Sequence, residues 1–164
     1  MLGLKREDEA IPTQPATGDR ATRIQYGALP YRQKRHAPLE VLLVTSRETK
    51  RWIIPKGWPI KGLKPSEAAA REAYEEAGVR GRVAGRALGQ YHYEKCLEDR
   101  NVTVPCEVTV FPLAVKRQLK AWPESEQRSA RWFSAAEAAA VVEDEGLRDL
   151  ILQFEARKGA RAGT

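Results

Sequence analysis

The run LEVLLVT at Leu39 to Thr45 is apolar at nearly every position, the pattern of a strand covered on both faces and therefore central in a sheet. Arg23 to Tyr31 is compatible with a strand but alternates only loosely. Arg51 to Ile54 is a short apolar run that Pro55 ends, and Pro55, Gly57, Pro59 and Gly62 predict a loop that is rigid yet turning. The stretch EAAAREAYEEA is made of strong helix formers and predicts a helix over Ser66 to Ala77. Pro65 suits its first position, Glu67 favours the N-terminal dipole, and Gly78 is a good C-terminal stop. Val79 to Tyr93 reads as strand material broken by Gly81, Gly85 and Gly89. Leu97 to Asn101 reads as a turn, and Val102 to Val115 as a long strand or bent pair interrupted by Pro105 and Pro112. Arg128 to Phe133 predicts a short strand, after which Ser134 and Glu137 form a capping-box pattern that opens a helix. Leu147, Leu150, Ile151 and Phe154 then recur at i, i+3, i+4 and i+7, the core stripe of an amphipathic helix. No internal repeat is present. The order of strands, helix, strands and helices predicts an α/β protein, a mixed sheet with helices packed on it.

Composition narrows this picture. A chain of 164 residues has room for one domain, and 42% hydrophobic residues suffice for a core. We expect a flexible leader over 1–20, a single domain over 21–157 and a basic tail over 158–164. No run approaches the ~18 apolar residues of a membrane helix, and the first twenty residues have no apolar signal segment, so the expected location is cytoplasmic. Cys96 and Cys106 have no His/Cys cluster around them and read as reduced thiols rather than a disulfide or zinc framework. The net charge of +6 and pI near 9.5 favour an anionic partner. Arg32, Lys34, Arg35, Arg47, Lys50, Arg51, Lys56, Lys61 and Lys64 all precede one acidic helix, and basic residues beside clustered carboxylates suit a metal-polyphosphate site.

That helix carries the most informative chemistry. With residues about 100° apart, Glu72, Glu75 and Glu76 share one face, while Ala70, Ala73, Tyr74 and Ala77 lie around the other side. Like charges at these spacings repel by a few tenths of a kcal/mol per pair, roughly, which a cation would relieve. Hard oxygen ligands on one rigid face suit Mg²⁺ or Mn²⁺. A solvated acidic surface is the plain alternative. The only histidines, His36 and His92, belong to no recognisable catalytic arrangement. Trp52, Trp58, Tyr91 and Tyr93 are either stacking surfaces for a base or core.

The flanking residues weigh against a plain acidic surface. The run R-E-A-Y-E-E-A-G-V at Arg71 to Val79, with Gly57 fourteen residues before Arg71 and the lead-in PKG, resembles the Nudix hydrolase family. The resemblance implies an α/β/α sandwich with a mixed sheet and metal-dependent hydrolysis of a phosphoanhydride bond. It implies that Gly57 (through its carbonyl), Glu72, Glu75 and Glu76 hold Mg²⁺ or Mn²⁺. Glu72 is also a candidate for taking the proton of the attacking water, and Arg71 would orient the carboxylates. Leu63 departs from the pattern, standing where the family has a glutamate, and Glu67 one turn before Arg71 is a candidate replacement partner for it. A further acid from the loop WPESEQRS is expected as ligand or base, Glu126 first and Glu124 second. The GWP opening and the strand before it look most like the diphosphoinositol polyphosphate and diadenosine polyphosphate hydrolase subgroup. Arg32, Arg47, Arg51 and Lys56 are then candidates for gripping extra phosphates. The expected partner is a small phosphorylated molecule, with a homodimer left open. Two rival readings are a non-catalytic Nudix domain that senses a nucleotide or polyphosphate, and an RNA-binding module, for which no RRM, KH or aromatic-basic interleaving is found.

Overall fold

The computed structural model describes residues 21–97 and 101–162. The expected leader at 1–20 and most of the turn expected at Leu97 to Asn101 lie outside these residues. Eight strands form one mixed sheet. At its centre β1 (Arg23–Arg32) runs parallel to β7 (Val102–Gln118), pairing Arg23 with Cys106 through to Tyr31 with Ala114. The other edge of β1 is shared. β4 (Lys56–Gly57) pairs antiparallel with Tyr26 and Gly27, whereas β2 (Glu40–Thr45) pairs with Tyr31 and Arg32. β2 is flanked by β3 (Trp52–Ile53) and β8 (Ala130–Ser134).

β7 is a single strand where a bent pair was one expectation. β6 (Gly89–Leu97) pairs along it as far as Val110, and β5 (Val79–Val83) takes over from Leu113. Pro112 sits in the gap between these partners. Its carbonyl accepts from the Ala84 N–H at 2.9 Å, so the N–H it lacks faces the edge where the ladder changes strands. The missing donor therefore costs little there.

Helices cover both faces. Leu42 and Val44 point to α1 (Pro65–Glu72) and pack with Ala69, Ala73 and Ala77. Val41 and Leu43 point the other way, toward Leu147, Ile151 and Phe154 of α3 (Glu145–Ala162) and Ala138 of α2 (Ala135–Val141). The strand with two apolar faces is thus in the middle layer of an α/β/α sandwich. Fully burying a side chain such as Leu42 or Leu43 stabilises the fold by roughly 1.5–3 kcal/mol. The box at Ser134 and Glu137 closes reciprocally, each backbone N–H meeting the other's side-chain oxygen at 3.1 Å. α3 runs on to Ala162, so residues 158–162 continue the helix.

One element departs from its expectation. The α-helix stops at Glu72, and Ala73–Ala77 form a π-helical turn that ends on Gly78 in the left-handed region, at φ 70°. Short π segments recur at functional sites. Here the turn contains Glu75 and Glu76, so the arithmetic of 100° per residue does not carry across it.

Candidate active site

Two carboxylates converge on the backbone of β4. Glu76, 2% exposed, accepts the Lys56 N–H on Oε1 at 3.3 Å. Glu72, 3% exposed, lies so close to Gly57 that a Cβ there would overlap its carboxylate. Glu75 is half-buried on the same turn. Helix termini leave their last carbonyls without intrahelical partners, and here a segment far along the chain supplies them. The Glu75 carbonyl accepts the Glu124 N–H at 3.0 Å, the Glu76 carbonyl accepts the Trp122 indole N–H at 3.1 Å, and the Gly78 carbonyl accepts the Leu119 N–H at 2.8 Å. The loop thereby brings in a fourth acid, Glu124, which is fully buried and ion-paired to Arg128 at 2.7 Å.

Cations gather next to these acids. Residues opposite one another in a ladder share a face of the sheet. Arg23 and Tyr93 both oppose Cys106, Lys95 opposes Val104, and Lys56 opposes Gly27, which shares a face with Gln25 and Arg23. Arg23, Lys56 and Lys95 therefore project from one face around the Tyr93 ring, whose hydroxyl donates to Gln25 at 2.6 Å. The Lys56 ammonium lies 4.9 Å from the centre of that ring, and the Lys95 ammonium 6.0 Å from the Trp58 ring. Burial lowers the Lys56 pKa to about 8, with neighbouring Glu76 opposing the shift and Lys95 reinforcing it. Burial likewise raises the Cys106 thiol, although Lys95, Lys56 and Arg23 all pull it down. Arg23 is 6% exposed, and neither of its terminal guanidinium nitrogens has a hydrogen-bond partner among the described residues. The buried Trp58 indole N–H is in the same position. A face with unsatisfied buried donors and gathered cations has the chemistry to hold an anion rich in acceptors.

The remaining sequence candidates fall in several places. Arg32 pairs with Glu40 at 2.7 Å under the Trp132 ring. It stands five residues along β1 from Gly27, roughly 17 Å at the rise of a strand. Arg51 reaches Glu143 at 3.5 Å, and Arg47 donates to Gln127 at 3.4 Å. Arg71 is exposed, and Glu67, the candidate partner for it, accepts the Lys64 N–H at 2.9 Å at the helix start. Glu126, the first choice among the loop acids, is exposed, whereas Glu124 is inside. His92 meets Glu107 at the surface, and Trp52 packs edge-on against Phe133. Cys96 is exposed and Cys106 buried, both free. Arg23, Lys95 and Arg128 carry no local sequence signal and emerge only from strand register and loop contacts.

Among the described residues no three Asp, Glu, His or Cys side chains are already grouped as a metal cage. The donors nevertheless fit a hard divalent ion. Mg²⁺ keeps several waters and takes only one or two carboxylates together with substrate phosphates. Buried Glu72 and Glu76 beside the Gly57 backbone offer that kind of set.

The NUDIX domain model matches residues 21–154. Nudix hydrolase 21, chloroplastic, of Arabidopsis thaliana is 37% identical over 136 residues, covering 80% of this chain and 66% of the relative. Diphosphoinositol polyphosphate phosphohydrolase 3-alpha of Mus musculus is 38% identical over 107 residues, covering 63% of this chain and 60% of the relative. The chain thus spans slightly under two thirds of the length of these relatives. A C. elegans Ap4A hydrolase binary complex shares the fold, with a TM-score of 0.63 at 18% identity, over 85% of this chain and 99% of that one. The NUDIX domain of Shewanella oneidensis NrtR complexed with ADP ribose does so with a TM-score of 0.61 at 14% identity, over 95% and 99%. Among the described residues no helix is long and apolar enough to cross a membrane. Several relatives carry chloroplastic or mitochondrial names and lend no support to the cytoplasmic expectation.

Proposed function

The chain belongs to the NUDIX family, and we propose that it hydrolyses a phosphoanhydride bond in a polyphosphorylated small molecule, a dinucleoside polyphosphate or a diphosphoinositol polyphosphate, with Mg²⁺ or Mn²⁺. The observation that carries this reading is the adjacency of two charge sets. Buried Glu72 lies against Gly57 on the α1 side of the sheet, Arg23, Lys56 and Lys95 project from the other side, and Glu76 links the two at β4, where it accepts the Lys56 N–H and acts on the Lys56 ammonium. Carboxylates alone would repel a polyphosphate, and cations alone would bind it without cleaving it. Meeting at β4, they divide the work. Glu72, Glu75, Glu76 and the Gly57 carbonyl are the proposed metal ligands. A divalent ion held there would polarise a phosphoryl oxygen and lower the pKa of a bound water. Glu72 is the proposed acceptor of the water's proton. Among the loop acids, burial and the backbone contact to Glu75 favour Glu124 over Glu126. Arg23, Lys56 and Lys95 would hold the phosphates beyond the scissile bond, and the Tyr93 and Trp58 rings would wall them in.

A second reading, a domain that binds such a ligand without turning it over, is favoured by Leu63 and by the exposure of Arg71. One experiment tests both: incubation with dinucleoside polyphosphates, diphosphoinositol phosphates, ADP-ribose and nucleoside triphosphates, each with Mg²⁺, Mn²⁺ or EDTA, and identification of the products. Turnover that EDTA abolishes and either metal restores is the expected result. Tight binding of a polyphosphate with no product under any metal would establish the second reading.

A further inference from the structure

Arg128 is 6% exposed in its side chain and is fastened to three separate elements. Its Nε donates to Glu124 at 2.7 Å, in the loop that caps the π turn. One terminal nitrogen donates to the Thr45 carbonyl at 3.1 Å, at the end of β2. The other stands 3.8 Å from Oε2 of Glu76, on the π turn itself. Thr45 is fixed in turn, since it exchanges backbone and hydroxyl bonds with Ser129 at 3.0 and 2.9 Å. The Glu76 carboxylate is thus bracketed, with Oε1 against the Lys56 N–H and Oε2 against a guanidinium. At 3.8 Å the guanidinium is beyond hydrogen-bonding range, so it acts on the carboxylate electrostatically.

We infer that Arg128 is a positioning residue that sets the orientation of Glu76 and Glu124 together, so that the metal meets carboxylates already in place. The inference rests on the proposed role of Glu76 as a metal ligand. The planar, rigid guanidinium is what allows three partners at fixed angles. An ammonium carries the same charge without that fork. Charge alone works in the opposite sense, because a fixed cation beside Glu76 repels a divalent ion. Removing Arg128 therefore has opposite consequences for Mn²⁺ affinity under the two accounts.

The test is Mn²⁺ binding to the full chain without substrate, measured by loss of the free-ion electron paramagnetic resonance signal, with thermal unfolding recorded in parallel. Arg128→Ala and Glu124→Gln should each raise the Mn²⁺ Kd on the order of tenfold, in the range seen when partners that orient metal ligands are removed. The double variant should lose little beyond either single change, because the two act as one unit. Arg128→Lys should weaken binding similarly despite keeping the charge, and it decides the matter if the alanine variant does not fold. An Arg128→Ala or Arg128→Lys protein that binds Mn²⁺ as tightly as the parent, or more tightly, overturns the inference, as does a lowered Tm with unchanged Kd. Glu76→Gln separates this from failure of the metal reading. If that variant binds Mn²⁺ as well as the parent does, Glu76 is not a ligand and both ideas fall.

Discussion

Gly57 shows how little freedom the proposed site leaves a single residue. Its position is fixed by pairing with Tyr26, and the space a side chain would occupy holds the Glu72 carboxylate. Gly57→Ala must push that carboxylate away, so catalysis should fall by about 10² while secondary structure persists, a small misplacement having this scale of effect. Steady-state kinetics with circular dichroism checks it, and near-parental kcat would show that the orientation of Glu72 is unimportant. Lys56, next in the chain, makes a different statement. Its pKa is about 8 in the fold against an ordinary 10.5. Between those values the unfolded chain binds more protons than the folded one, so this group makes stability rise with pH across that window. Below about pH 8 the lysine is charged in both states and its burial opposes folding in full. Lys56→Met should therefore be stabilised most relative to the parent below pH 8, with the difference in Tm shrinking toward pH 10.5. A pH-independent difference would mean that the ammonium is not desolvated.

At the scale of elements, much was legible in the sequence. Leu39 to Thr45 announced a strand covered on both faces because Val41 to Val44 is apolar on each, and the box at Ser134 and Glu137 announced a helix start that the hydrogen bonds show. The π turn was not legible, since alanine and glutamate favour an α-helix on intrinsic propensity and only contacts outside the segment distinguish the two. Those contacts come from Leu119, Trp122 and Glu124, more than forty residues away. The same remoteness hid the difference in burial between Glu124 and Glu126. Both are loop acids two positions apart, and the bond from the Glu124 N–H to the Glu75 carbonyl and the pair with Arg128 hold that one inside. Trp122→Phe tests this cap. It keeps a ring against Gly78 but removes the indole N–H from the Glu76 carbonyl. Denaturant unfolding should show a loss of about 1 kcal/mol, the usual net worth of such a bond, with the slope unchanged. An unaltered midpoint would show that water replaces the indole there.

On the scale of the whole molecule, sequence proximity and spatial proximity part company at the basic residues. Arg32, Arg47 and Arg51 precede the acidic helix in the chain, yet Arg32 is bound to Glu40, Arg51 to Glu143 and Arg47 to Gln127. Register adds others. Because β1 and β7 run parallel and β6 is antiparallel to β7, Arg23 at the start of the domain and Lys95 near the end of β6 arrive on one face beside Lys56. No local pattern contains that information, for it depends on which strands pair and in what alignment. The proposed substrate class therefore rests on the sheet as a whole. If this face holds phosphates beyond the scissile bond, each lost charge-assisted contact should cost ~1.5–3 kcal/mol, roughly ten- to hundredfold in kcat/KM. Arg23→Ala and Lys95→Ala should show such losses with a dinucleoside tetraphosphate or a diphosphoinositol polyphosphate, and much smaller ones with ADP-ribose, which has only two phosphates. Arg32→Ala should change both substrates little and equally, as expected of a partly exposed pair. Kinetics of the three variants on one long and one short substrate decide the point. Equal losses on both would mean that the cluster serves the reacting phosphates alone. A selective loss in Arg32→Ala would return the subsite to the far end of β1.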